Sequence, residues 1–239
     1  MENTENHIKL VFRVFRATDD IESCKKYVEG HVRVLKIFGI TMITSAKAEW
    51  FDDPDTYIIL VQSEDGEKLY GGARVQVAGG KFPLPIETAV SKFDNSIHSL
   101  VKNLAIEGTG ELCGLWNSRE VAGLGIGSIF LGRVGVAIAT QLKLKTLFAL
   151  CAPATVKNCL NVGFLIENRL GDDGTFYYPK EDLVATAVLL NDIDTLSSAD
   201  IEEKAKIFEL RQDPELKKIE QGPRDKVLDI DFHLTIPNL

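Results

Sequence analysis

Between Gly110 and Phe164 the chain alternates, breaks on glycines, runs continuously apolar and then alternates again, a succession that few folds accommodate. From Gly110 to Trp116, Glu111, Cys113 and Leu115 are set against Leu112, Gly114 and Trp116, the period-two pattern of a strand. Asn117 to Ser128 carries Gly123, Gly125 and Gly127. The run from Ser128 to Lys145 is too long for one strand and apolar on most sides, which predicts a buried helix starting near Gly127. Thr146 to Ala152 reads as a second apolar strand, and Ala152-Pro153-Ala154 opens a second helix running toward Gly163-Phe164. The unit is strand, glycine loop, helix, strand, helix.

Such a loop favours an anion. The start of a helix offers amides without intrahelical partners at the positive end of the dipole, and glycines let a phosphate approach them. The dinucleotide fingerprint fits poorly, because Ser128 stands where GxGxxG needs its third glycine and Ala152-Pro153 supplies no acidic residue for a ribose. A nucleotide P-loop around Gly127, Gly132 and Arg133 lacks its Lys, has Val134 for Ser or Thr, and puts glycines inside the helix. A plain packing turn stays open as the bland alternative.

Glu120-x-x-Gly123-x-Gly125, after a strand and opening a helix, resembles the acyl-CoA loop of the GNAT N-acyltransferase superfamily. The run Asn158-Cys159-Leu160-Asn161-Val162-Gly163-Phe164 is similar to that family's second signature, a helix closing on Gly-Phe. Two positions depart from the pattern. Glu120 stands where the family has Gln or Arg, with Arg119 adjacent. Cys159 stands where many members have the Tyr that protonates the departing thiolate, and reads as a small buried hydrophobe. Tyr57, Gly71-Gly72-Ala73-Arg74, Pro83-Leu84-Pro85 and Glu111-Leu112 also resemble the acyl-homoserine-lactone synthase branch, with its related N-acyl amino acid synthases.

The resemblance implies an α+β (α/β/α) fold, a mixed, mainly antiparallel central sheet flanked by helices. It implies that the backbone of Leu115, Trp116 and Asn117 binds a pantetheine arm. Amides of Val121, Ala122, Gly123, Leu124, Gly125, Ile126 and Gly127 would hold the pyrophosphate, with the Ser128 hydroxyl and Asn158 adding to the cofactor site. An amine then attacks the thioester directly and needs a base, because an ammonium is no nucleophile. Glu111 is the first candidate, against the alternative of a structural carboxylate paired with Arg74. Asn117 and Ser118 are candidates to polarise the carbonyl oxygen, against the commoner work of capping.

The rest of the chain fits one domain spanning 1–239. His7 to Phe15 alternates as a strand, Thr18 or Asp19 caps a helix that Gly39 ends, and Asp55–Gln62 and Leu69–Val77 form a hairpin whose Gly71-Gly72 marks a bulge. Glu49 to Asp55 reads as a loop docked by Trp50, with a substrate wall as the alternative, and Ile86 to Leu104 reads as one helix. Asp182 to Leu190 is expected to pair with the final strand, 226–236, around a charged helical insertion over 197–221.

A net charge of −8 argues against a nucleic-acid partner. The absence of a long apolar run and the polar Met1–His7 segment argue for a cytoplasmic protein without a membrane span or signal peptide. Cys24, Cys113, Cys151 and Cys159 form no CxxC pair and read as reduced core thiols, and the four histidines show no ligand spacing, so no metal is expected. Three functions compete. The first moves an acyl group, acetyl or longer, from acyl-CoA to a small-molecule or peptide primary amine. The second is an N-acyl amino acid synthase drawing long chains from acyl carrier protein, and the third an acyl-CoA-binding sensor without turnover. Dimers are common in this fold, so a homodimer is the expected assembly by analogy.

Overall fold

The structure is a computed structural model that describes residues 8–40, 49–237 and 239; the expectations for Met1 to His7 lie outside the described residues. Strand β1 (Ile8–Arg16) alternates as its sequence demands, with Leu10, Phe12 and Val14 on one face and Phe15 on the other. A 3₁₀ turn at Ala17–Asp19 leads into α1 (Ile21–Ile37). The N-cap is Asp20, beyond the expected Thr18 or Asp19, because the turn uses those residues; its carboxylate accepts the Ser23 amide at 3.0 Å. Strands β2 (Thr56–Gln62) and β3 (Leu69–Val77) form the expected hairpin, and its register slips at Tyr70, one residue ahead of Gly71-Gly72.

The single helix expected over 86–104 is two, α2 (Pro85–Val90) and α3 (Ser96–Leu104). Phe93 and Asp94 both donate to the Val90 carbonyl, and the Asp94 carboxylate then accepts the Ser96 amide at 3.0 Å, closing one helix and starting the next. The central unit follows as expected: β4 (Thr109–Asn117), a glycine loop, a π-type turn (Ile126–Phe130) continuing into α4 (Leu131–Ile138), β5 (Thr146–Cys151) and α5 (Pro153–Asn161). Short β6 (Leu165–Ile166) and β7 (Thr175–Tyr177) precede β8 (Val184–Leu190). The chain then forms α6 (Ile201–Gln212), β9 (Lys217–Gln221) and β10 (Val227–His233).

One ten-stranded sheet runs β6-β8-β5-β4-β3-β2-β1-β10-β9, with β7 on β8. The pairs β4–β5 and β1–β10 are parallel and the others antiparallel. Residues of α4 and α6 bury Val134, Ile138, Ile207 and Leu210 in one core layer with Leu10, Phe12 and Leu147, and Val156 of α5 packs against that layer. Residues of α1, α2 and α3 pack on the opposite face. This is the α/β/α arrangement.

The C-terminal third corrects two expectations. Val184–Leu190 pairs with β5, β6 and β7, and the final strand pairs instead with β1, where Phe12 faces Phe232 at 5.2 Å between ring centroids. The segment 197–221 is only partly helical, since Lys217–Gln221 forms an antiparallel edge strand against β10. The charges of α6 are also not all solvent-facing. Arg133, 2% exposed on α4, pairs with Glu203 and Glu220, each at 2.8 Å, and Lys206 reaches Glu220 at 3.2 Å. The guanidinium therefore ties α4 to α6 and β9.

Candidate active site

Strands β4 and β5 begin in register and then part. Thr109, Gly110 and Glu111 pair with Thr146, Leu147 and Phe148, and the Thr109 and Thr146 hydroxyls lie 2.7 Å apart at the closed end. Beyond Glu111, β4 carries an extra residue: two steps on β3, Gly72 to Arg74, face three on β4, Trp116 to Cys113. The bulge centres on Gly114, whose φ of +61° an L side chain rarely adopts, and its carbonyl accepts the Tyr27 hydroxyl of α1 at 2.8 Å. The extra residue reverses the alternation. Leu112 lies in the α4-side core and Trp116 in the α1-side core, although the sequence places them on one face.

Meanwhile β5 keeps its partner β8 as far as Cys151–Thr186, so the sheet opens between β4 and β5. A cavity of about 280 Å³ fills the opening. Glu111, Cys113, Gly114 and Leu115 form one wall, Ala149, Leu150 and Cys151 the other; Asn158, Cys159 and Phe164 come from the α5 side, and Leu183 to Ala185 with Tyr178 from β8 and the chain before it. Gly127, Ser128 and Gly132 reach it from the loop and α4. A Cβ on Gly132 would meet nothing nearer than Val162 at 4.0 Å, so this glycine leaves real space.

Of the residues singled out in the sequence, Glu111, Leu115, Gly127, Ser128 and Asn158 line this cavity. Trp116 is buried on the α1 side, and Asn117 donates to the Ser118 carbonyl at 3.0 Å, with its Oδ1 packed against Gly127. Neither Asn117 nor the stretch Val121–Ile126 lines the cavity. In that stretch Gly123 and Gly125 both take φ of +84° and Gly125 packs against Pro223.

Glu111 is 2% exposed, and its Oε2 accepts the Ile86 amide at 2.6 Å. Burial raises its pKa to about 8, against the pull of that amide and of Arg74. Arg74 does not pair with it directly: Nε points at the Cys113 sulfur at 3.3 Å and the guanidinium stacks 4.9 Å over the Trp50 ring. The Nη1 of Arg74 and the Nε1 of Trp50 are both buried without a hydrogen-bond partner among the described residues. The residues Arg74 and Trp50 line a second, smaller cavity of about 70 Å³ with Gln76, Phe82, Pro83 and Thr88, and with Glu49 at an exposed position. Pro85 lines both cavities, immediately before the amide that holds Glu111.

Two groups of α1 escaped the sequence reading, His31 in the cavity wall and Tyr27 buried behind it. His31 is 3% exposed, its Nδ1 has no hydrogen-bond partner among the described residues, and burial followed by Arg74 lowers its pKa to about 4, so it is neutral at physiological pH. Tyr27 anchors the bulge. Both sit one turn apart on the buried stripe of α1, and the helical spacing of Cys24, Tyr27 and His31 was the available signal. Among the described residues no group of three or more His, Cys, Asp or Glu side chains is placed to hold a metal ion, and no helix is long and apolar enough to cross a membrane.

No family model and no curated protein matches the sequence. Solved structures do match the fold. An N-acyl amino acid synthase, FeeM, from uncultured soil microbes superposes with a TM-score of 0.60 at 15% identity, covering 82% of this chain and 97% of its own. A CoA-dependent acyl-homoserine lactone synthase, BjaI, with MTA gives 0.51 at 12% identity over 90% and 95%. A putative phosphinothricin N-acetyltransferase gives 0.51 at 15% identity over 77% and 99%. The chain therefore has a GNAT-like fold.

Proposed function

We propose that the protein is an N-acyltransferase that moves an acyl group longer than acetyl from a CoA thioester to the amine of a small amino acid. The observation that carries this reading is the split between β4 and β5, with a mostly apolar cavity larger than an acetyl group needs and one buried carboxyl beside it. A pantetheine arm would lie along the unpaired edge of β4 at Leu115, with Gly127 and Ser128 at its phosphate end and the acyl chain against Leu150 and Leu183. Glu111 would take the proton from the attacking ammonium. A carboxyl whose pKa lies near 8 suits that work, being ionised in a useful fraction at neutral pH while basic enough to accept.

The smaller cavity supports the choice of acceptor. Arg74 and Trp50 line it, each with a buried donor, Nη1 and Nε1, that has no acceptor among the described residues, and a small side-chain shift would present both to a bound carboxylate. An acceptor held by its carboxylate would keep its amine within reach of the Pro85–Ile86 corner where Glu111 is fixed. The N-acyl amino acid synthase among the fold neighbours is consistent with this. The test is calorimetric titration with CoA, acetyl-CoA and a medium-chain acyl-CoA, then thiol release with a panel of amino acids, their carboxamides and simple amines. Medium-chain acyl-CoA binding more tightly than acetyl-CoA, with turnover on free amino acids only, is expected. Turnover with acyl carrier protein alone would move the donor to the carrier. Binding without turnover on any amine would make the protein a sensor.

A further inference from the structure

We propose that Cys151 and Cys159 are a reversible dithiol–disulfide pair in the wall of the large cavity, oxidised by low-molecular-weight disulfides and shielded when the cavity is filled. Their sulfurs lie 3.1 Å apart, Cys151 at the end of β5 and Cys159 on α5, and both border the cavity. Such proximity needs only a small movement to reach the bonded separation of about 2.05 Å. Cys151 is 5% exposed, whereas Cys159 is partly open, so the exchange has a defined order.

The Cys159 thiolate attacks one sulfur of a disulfide RSSR and releases RS⁻, which is protonated to RSH. The Cys151 thiol then gives up its proton and attacks the Cys159 sulfur, forming the protein disulfide and releasing the second RSH. Two electrons leave the protein dithiol and reduce RSSR to two thiols. A hydrogen bond from Cys151 favours the Cys159 thiolate while burial opposes it, which suits the attacking role. The other two cysteines are unsuited. Burial pushes both Cys24 and Cys113 up to about 12, and neither has a sulfur partner. Bridging draws α5 onto β5 where the acyl chain would lie, so oxidation and acyl-CoA binding oppose each other. That coupling, unlike the bridge itself, rests on the acyl-transfer reading.

The experiment is incubation of reduced protein with glutathione disulfide, followed by alkylation, intact mass and peptide mapping. Loss of two alkylatable thiols, with no glutathione retained and the bridge mapped to Cys151–Cys159, is expected. Cys151→Ser should trap glutathione on Cys159, and Cys159→Ser should leave Cys151 unreacted. Saturating medium-chain acyl-CoA should slow the exchange by about tenfold, and the oxidised protein should bind it about tenfold more weakly, the two couplings being reciprocal. Four reduced thiols after prolonged incubation, a stable mixed disulfide on the wild type, or a bridge through Cys24 or Cys113 would overturn the pair. A mapped bridge in a protein that calorimetry shows not to bind acyl-CoA would uphold the pair and sink the acyl-transfer reading instead.

Discussion

Replacing Glu111 by Gln should alter stability in a pH-dependent way whose sign and size follow from its burial. The native carboxyl holds its proton up to about pH 8, whereas the unfolded chain releases it above 4.5. Folding therefore takes up a proton between those values. The stability that the protonated group contributes is full below 4.5, is lost as pH rises, and is gone above about 8. A pKa raised from 4.5 to about 8 corresponds to roughly 5 kcal/mol, at about 1.4 kcal/mol per unit. Glutamine keeps an oxygen to accept the Ile86 amide but has no proton to lose, so Glu111→Gln should be flat in that window.

His31 produces the opposite slope, because its native pKa of about 4 lies below the unfolded value of 6.5 and stability rises with pH between them. That contribution is common to both proteins and cancels in the difference. Glu220 and Asp20, whose pKa values are lowered, act in acid below this range. Urea denaturation of wild type and Glu111→Gln at intervals from about pH 5 to about pH 9 should show the variant gaining on the wild type by several kcal/mol at unchanged slope. In the acyl-transfer assay the wild-type kcat/KM should climb toward pH 8, and the variant should lose about a hundredfold or more in kcat. Parallel stability profiles would mean that Glu111 is ionised in the native protein, and would falsify both the burial argument and its poise as a base.

Three other perturbations test separate parts of the site and scaffold. Gly132→Phe projects into open space rather than backbone, so it should weaken medium-chain acyl-CoA binding by at least about tenfold in calorimetry while the melting temperature stays within a few degrees. Arg74→Gln should raise the KM for a carboxylated acceptor by about one to two orders of magnitude and leave the acyl-CoA affinity alone; an equal loss with simple amines would remove the carboxylate contact from consideration. Arg133→Met removes the buried guanidinium from Glu203 and Glu220 and leaves Lys206 as the remaining cation beside them, so it should cost about 1–3 kcal/mol in urea unfolding, with no measurable loss refuting the buried network.

The central unit was legible because each of its elements has one period and one set of breakers: alternation in β4, glycines at positive φ in the loop, a long apolar run for α4. The bulge at Gly114 was present only as a glycine within an alternating run, and nothing local says that the strand resumes on its other face. Strand β9 was hidden by composition, since Lys217-Lys218-Ile219-Glu220-Gln221 is what a protected sheet edge looks like and equally what a wet helix looks like. The partner of β10 was a choice between two apolar edges that only three-dimensional packing of Phe12 on Phe232 decides. The site divides in the same way. Glu111 and Ser128 carried a family pattern, whereas His31, Tyr27 and the Cys151–Cys159 contact arise where separate elements meet.

The parallel pairing of β1 with β10 has a consequence for how the chain reaches this state during synthesis. Ile8 is among the first described residues to leave the ribosome, and its partner Leu228 is among the last. Until β10 arrives, β1 is a bare edge of the growing sheet displaying Leu10 and Phe12, a segment prone to pair with a neighbouring chain. Closing so long a loop is slow relative to forming the local β2–β3 hairpin, so the outer half of the sheet completes late. Once it does, the exposed edge passes to lysine-bearing β9, and the hazard ends.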